Sequence, residues 1–254
     1  MVKVGIIGGS GLDNPDILKD AQEVKVQTPY GSPTSALTRG AIGGVEVVIL
    51  ARHGKHHSIP PSKVNFRANI WALKEEGCSH ILATTAVGSL REEIQPGHLV
   101  FPNQFIDHTK KRDLTFFDED MVIHTPMAEP FCQNLIDLCS QSAGQLKIPY
   151  HRNRTVITVE GPRFSTRAES HLFRSWNADV INMSTVPEVI LAREKKMHYA
   201  TVAMSTDYDC WREGEEHVTW EIIVETMKRN AENVIRLFLE IIPKIREYDD
   251  LCRK

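Results

Sequence analysis

The chain is 254 residues long, with 41% hydrophobic and 25% charged residues, an ordinary balance for a globular protein able to bury a closed core. Its 30 Lys and Arg stand against 33 Asp and Glu, a net charge of −3 with no basic run, so the charge makes no case for nucleic acid binding. No apolar run approaches the ~20 residues that span a bilayer. Met1 is followed by a strand-like segment rather than an apolar leader, and the cysteines (Cys78, Cys132, Cys139, Cys210, Cys252) are odd in number with no Cys-x-x-Cys pair. Free thiols in a reducing, cytoplasmic setting are the expectation.

Short apolar runs read as strands at Val2–Ile7, Val45–Ala51, His80–Ala86, Leu99–Phe101, Thr155–Val159, Asp179–Ile181 and Tyr199–Met204. Several are apolar throughout, as strands buried on both faces are. Helices are expected between them. Ser62 is placed to cap one that carries Ile70, Trp71 and Leu73 and stops at Gly77. Thr166 with Glu169, and Thr185 with Glu188, have capping-box spacing. A last helix should begin near Thr219, with Trp220, Ile223, Val224, Met227, Ala231, Val234, Ile235 and Phe238 as its apolar stripe. The segment from Lys110 to Met127 is long, charged and aromatic, and suits a lid, a subunit contact or a surface excursion. Alternating strands and helices without repeat or linker predict one α/β domain over residues 1–254, a central mixed β-sheet flanked by helices.

In such folds ligands gather at the carboxyl ends of the strands. After the first strand comes Gly8-Gly9-Ser10-Gly11, a small-residue turn that can offer N–H groups and a hydroxyl to an anion or be a plain tight turn. Arg52-His53-Gly54 follows the second, and a guanidinium fork fits two oxygens of a phosphate. His56 and His57 raise the question of a metal, but no His-Glu-x-x-His or Cys partner accompanies them, so none is expected. Thr84-Thr85-Ala86 and Asn182-Met183-Ser184-Thr185 add hydroxyls and a soft thioether. Asp207 and Asp209 lie two apart on an extended segment and point the same way. Their burial and mutual repulsion would raise at least one pKa and leave a proton to donate, although the spacing does not rank one above the other. A site that holds phosphate and protonates a leaving group suits glycosyl transfer to phosphate.

These residues resemble the 5'-methylthioadenosine phosphorylases of the trimeric purine nucleoside phosphorylase family. The likeness is carried by Gly5–Leu12, Ala51–Gly54, Asn69–Cys78, Gly88–Gly97, Pro126–Cys132, Glu160–Ser165, Ile181–Val189 and Thr206–Trp211, and extends from Val4 to about Pro243. The resemblance implies a homotrimer without cofactor that takes inorganic phosphate as co-substrate and releases adenine from 5'-methylthioadenosine. It implies phosphate among Ser10, Arg52, His53, Thr85, Ala86 and Ser184, Met183 under the ribose, and Phe164 and Ser165 against the purine. Asp207 and Asp209 would read the base, with Asp207 as proton donor, and His124 would reach a neighbouring subunit's site. Trp220 stands where relatives often carry a small aliphatic residue in the methylthio pocket, and Ser10 and Ser184 replace what is often Thr. Adenosine, inosine or 5'-methylthioinosine is the alternative substrate. A hydrolase would not need the anion donors, a non-catalytic nucleotide-binding protein would not need the acid pair, and a dehydrogenase would need an acidic fingerprint residue that is missing about twenty positions after Gly11.

Overall fold

The computed structural model describes residues 2–8, 17–118, 121–212 and 220–246, with the side chains of 220–223, 225 and 229 outside the description. The described strands join in a single nine-stranded mixed sheet. β1 (Lys3–Gly8) lies between β4 (Val45–Ala51) and β5 (His80–Ser89), parallel to both. Its nearly uniform burial is that of a strand covered on both faces, as the apolar run requires. β2 (Lys19–Val24) and β3 (Leu37–Ile42) extend the sheet antiparallel on the β4 side.

On the other side the order continues through β8 (Val180–Asn182), β7 (Tyr150–Val159), β6 (Leu99–His108) and β9 (His198–Asp207). β9 then pairs again with β5, so these five strands close on themselves and remove their edges. The β5–β9 register slips between Val87 and Gly88, leaving Thr206 as an extra residue of β9 just before Asp207. Such a bulge re-aims the side chains beyond it.

The helices are α1 (Phe66–Glu75), α2 (Gln133–Gln145), α3 (Arg167–Ser175), α4 (Thr185–Glu194) and α5 (Trp220–Ile241). Within α5, Met227, Ala231, Val234 and Phe238 are buried, as the stripe predicts; Thr219 lies outside the described residues. The Thr166–Glu169 capping box forms at α3. Two expected caps do not. Ser62 lies in a 3-10 turn begun by Pro61, and α1 is capped by Asn65, whose side chain accepts from the Ala68 N–H. The Thr185–Glu188 pair makes no cap because Val186 departs from helical geometry (φ −98°, ψ 130°) and Glu188 is engaged elsewhere.

The long segment after β6 is tied to the body over its first half. Arg112 donates to the carbonyls of Val159, Glu160 and Val186. Phe116 is buried against Tyr30 and Trp71, and Lys195 Nζ lies 3.8 Å from the Trp71 ring centre. Residues Met121, Val122 and Ile123 beyond it are exposed. Among the described residues Cys78, Cys132, Cys139 and Cys210 are in no disulfide, and no helix is long and apolar enough to cross a membrane.

Candidate active site

A cavity of about 140 Å³ opens where β4, β5, β8 and β9 end. One wall collects anion donors. Arg52 leaves β4 with its N–H on the Gly8 carbonyl (2.9 Å), which fixes the start of the side chain. The hydroxyls of Thr85, within β5, and Ser184, at the start of α4, lie 2.9 Å apart. Asn182 lies behind them, donating to Thr185 Oγ1 (2.7 Å) while its oxygen accepts from Thr158 (2.8 Å). Ser184 heads α4 without capping it, so its hydroxyl stays with Thr85.

The guanidinium of Arg52 is not an open fork. Nε and Nη2 donate to the two carboxylate oxygens of Glu188, and Nη1 donates to the Thr84 carbonyl at 2.7 Å. Both side chains of the pair are buried. Burial opposes the charge of Arg52, but Glu188 outweighs it and the guanidinium pKa is raised. Tyr199 donates its hydroxyl to Glu188 at 2.9 Å. Glu188, which sequence spacing assigned to a helix cap, is thus the partner of a residue 136 positions away. An isolated chain offers no local signal for that pairing.

His53 is buried beside Arg52, and its Nδ1 lies 2.8 Å from the Ile59 carbonyl. Since a carbonyl can only accept, Nδ1 carries the proton. Burial, then the neighbouring Arg52 charge, lowers the His53 pKa to about 4. A neutral ring in this tautomer leaves Nε2 as an acceptor.

The opposite wall carries the acid pair. Asp207 Oδ2 accepts from the Thr206 hydroxyl and Oδ1 from the Asp209 amide, each at 2.7 Å. Both oxygens are thus engaged as acceptors by the chain itself. Asp209 differs. It sits at φ +50° on the turn after β9, a conformation that Asp and Asn tolerate better than most residues. Burial pushes its carboxyl pKa up. The hydroxyls of Ser170 and Ser165 approach it and oppose that rise. Trp211 holds this turn against β5 through its indole N–H on the Ser89 carbonyl (2.7 Å).

Between the walls lie Met183, Ile181 and Val159, with Phe164 half-exposed at the rim. Gly161, at φ +68°, lets the chain pass over Met183, since a Cβ there would stand 2.5 Å from the thioether sulfur. Among the described residues no group of three or more His, Cys, Asp or Glu side chains is arranged to hold a metal ion.

The family pattern described as "Phosphorylase superfamily" matches residues 3–243. The S-methyl-5'-thioadenosine phosphorylase of Danio rerio is 55% identical over 98% of this chain and 90% of its own length. That of Thermofilum pendens is 52% identical over 97% and 93%. The methylthioadenosine phosphorylase of Schistosoma mansoni, solved with adenine, superposes with a TM-score of 0.95 at 42% identity, covering 100% of this chain and 96% of that one. A mutant of the adenosine/methylthioadenosine phosphorylase of the same organism, solved with methylthioadenosine, gives a TM-score of 0.94 at 41% identity, over 100% and 95%.

The chain belongs to the phosphorylase superfamily and, within it, to the S-methyl-5'-thioadenosine phosphorylase family. Of the residues that resemblance to these phosphorylases singled out, Arg52, His53, Thr85, Ala86, Phe164, Ser165, Met183, Ser184, Asp207 and Asp209 all line the one cavity. Ser10 and the side chain of Trp220 lie outside the described residues. His124 is exposed and does not line the cavity of its own chain. Glu188, Pro61, Ile181 and Val159 were not singled out: the last three are apolar and carry no chemical signature, and Glu188 was masked by its capping-box spacing.

Proposed function

We propose that this phosphorylase cleaves S-methyl-5'-thioadenosine with inorganic phosphate, releasing adenine and 5-methylthioribose 1-phosphate. One observation carries the reading. A single cavity sets hydroxyls and a guanidinium on one wall against two carboxyl groups on the other, with a thioether and apolar side chains between. That is the spacing of functions along a nucleoside attacked by phosphate: anion, ribose, base.

In this reading phosphate rests against Thr85, Ser184, Ala86 and Arg52, with Ser10 as a further donor, and the ribose lies over Met183. The bond at C1' loosens ahead of attack, giving an oxocarbenium-like ribosyl group, and phosphate enters from the face opposite the base with inversion. Negative charge held by preformed donors stabilises the cation developing beside it. The acid pair protonates purine N7, so that adenine leaves neutral. Asp207 is the member placed against the base by resemblance, and Asp209, raised by burial, is the member suited to store the proton. A 6-amino group donates to a carboxylate, whereas a 6-oxo group would set acceptor against acceptor, so 6-aminopurines are preferred.

Phosphorolysis by these residues requires no cofactor. A homotrimer in the cytoplasm, with His124 completing a neighbour's site, is part of the same proposal. Adenosine is the second substrate to consider, because a structural relative is named for both nucleosides.

The test is release of adenine from S-methyl-5'-thioadenosine with and without phosphate, run beside adenosine and 5'-methylthioinosine. Phosphate-dependent release that is fastest with the methylthio substrate is expected. Release at the same rate without phosphate would overturn phosphorolysis, and faster release from 5'-methylthioinosine would overturn the role given to the acid pair.

A further inference from the structure

Among the described residues Arg52 is the one arginine lining the cavity, yet its charge is already matched. The guanidinium has five N–H groups. Three are fixed from behind, by both oxygens of Glu188 and by the Thr84 carbonyl, which leaves one N–H on each terminal nitrogen. Glu188 is itself held in place by Tyr199, whose phenol burial keeps protonated and which takes a hydrogen bond from Thr201 at 3.3 Å. Other polar groups on this wall, among the described residues, are the neutral hydroxyls of Thr85 and Ser184 and the imidazole of His57, whose ring centre lies 4.4 Å from that of His53. His53 beside them is neutral as well.

We infer that Glu188 is a positioning residue that offsets the charge of Arg52, so that phosphate is held by oriented N–H and O–H groups and keeps its own charge for the reaction. The inference rests on the phosphorolysis reading. An unpaired guanidinium would bind the dianion more tightly and would quench the charge that must stabilise a cationic ribosyl group. A paired one binds it less tightly and leaves that charge available. The carboxylate also fixes the guanidinium plane before phosphate arrives, so no reorganisation is needed at the moment of attack. A buried arginine whose partner is removed becomes an uncompensated buried charge. In a variant lacking the Glu188 charge, phosphate is the group able to supply that compensation.

The experiment compares wild type, Glu188→Gln and Glu188→Asp. It uses initial rates against phosphate and against nucleoside, calorimetric titration with phosphate alone, and melting with and without phosphate. Glu188→Gln is expected to lower the KM and the Kd for phosphate at least threefold and kcat at least tenfold, with the KM for nucleoside within twofold of wild type. Phosphate should raise its Tm more than it raises that of wild type. Glu188→Asp, which keeps the charge, should keep the phosphate KM within threefold even where its Tm falls. A rise in phosphate KM and Kd in Glu188→Gln, or unchanged kcat, overturns the inference. If Glu188→Gln does not fold even in phosphate, a change of more than tenfold in phosphate KM in Glu188→Asp overturns it. Wild-type release that ignores phosphate would instead sink the proposed function, and the calorimetric arm would still decide whether Glu188 restrains phosphate binding.

Discussion

The backbone N–H of Asp209 donates to Oδ1 of Asp207 at 2.7 Å, so the turn that presents one carboxyl also orients the other. The two acids are therefore unequal. Asp207 accepts from Thr206 and from the Asp209 N–H, and the carboxyl pKa of Asp209 is pushed up by burial. Replacing either by Asn should cut turnover of 6-aminopurine nucleosides by roughly 100-fold or more, the range over which a lost general acid is felt. Steady-state rates at neutral pH check this. Full activity in Asp207→Asn would remove it from contact with the base, and full activity in Asp209→Asn would remove it as the store of the proton.

The raised pKa of Asp209 has a consequence for stability. Its carboxyl binds a proton more firmly in the folded chain than in the unfolded one. Its favourable contribution is then complete below the unfolded pKa and is lost as pH rises through the folded value. Asp209→Asn removes this loss and keeps a residue suited to φ +50°. Denaturant melts across pH should show the variant gaining on wild type as pH rises. A difference that is flat with pH would mean that Asp209 titrates normally.

His53 runs the other way. With a folded pKa of about 4 against an ordinary 6.5, the unfolded chain takes up a proton first. Stability should fall as pH drops from about 6.5 to about 4, by at most about 3 kcal/mol. His53→Gln should flatten that part of the curve, and NMR titration of the ring checks the pKa directly. A ring that titrates near 6.5 in the folded protein would remove the effect.

Gly161→Ala should be among the more damaging small substitutions. A side chain at φ +68° costs about 1–2 kcal/mol. The added Cβ would also displace Met183, whose sulfur lies 2.5 Å from its position. The expected result is a lower Tm together with a KM for nucleoside raised severalfold, while the KM for phosphate changes less. Equal changes in both would mean that Met183 does not support the nucleoside.

His124→Ala addresses assembly. The side chain is exposed on its own subunit, so the fold and Tm of the single chain should be unchanged. If it completes a neighbour's site, the KM for nucleoside rises. Unchanged kinetics would argue for a site built from one chain.

Much of this architecture was legible because strands buried on both faces announce themselves as apolar runs, and the chemistry follows at their ends. β1, β4, β5, β8 and β9 are all placed by that signal, and Asp207, Arg52 and Thr85 stand in the carboxyl halves of these strands or just beyond them. β2 and β3 escaped. β2 is an almost wholly exposed edge strand, Lys-Asp-Ala-Gln-Glu-Val, with no alternation to read. β3 carries Gly40 at its centre, where a Cβ would stand 2.8 Å from Leu18 and the Lys19 carbonyl. The outer halves of β6 and β7 are part-polar and fell outside an apolar search. The Arg52–Glu188 pair was illegible for another reason: only the folded sheet brings β4 and α4 together.

The ring formed by β5, β8, β7, β6 and β9 has a practical meaning for ligand design. Thr85, Gly88 and Asp207 belong to β5 and β9, which pair along their length apart from the bulge at Thr206, so the separation between Thr85 and Asp207 is set by the fold rather than by the ligand. Phe164 and Ser165 sit instead on the connection between β7 and α3, outside any ladder. Compounds that match the fixed separation gain affinity only by fitting it. Bulk added toward Phe164 meets the half-exposed rim carried by that connection, and that is the side on which inhibitors of this enzyme can be varied.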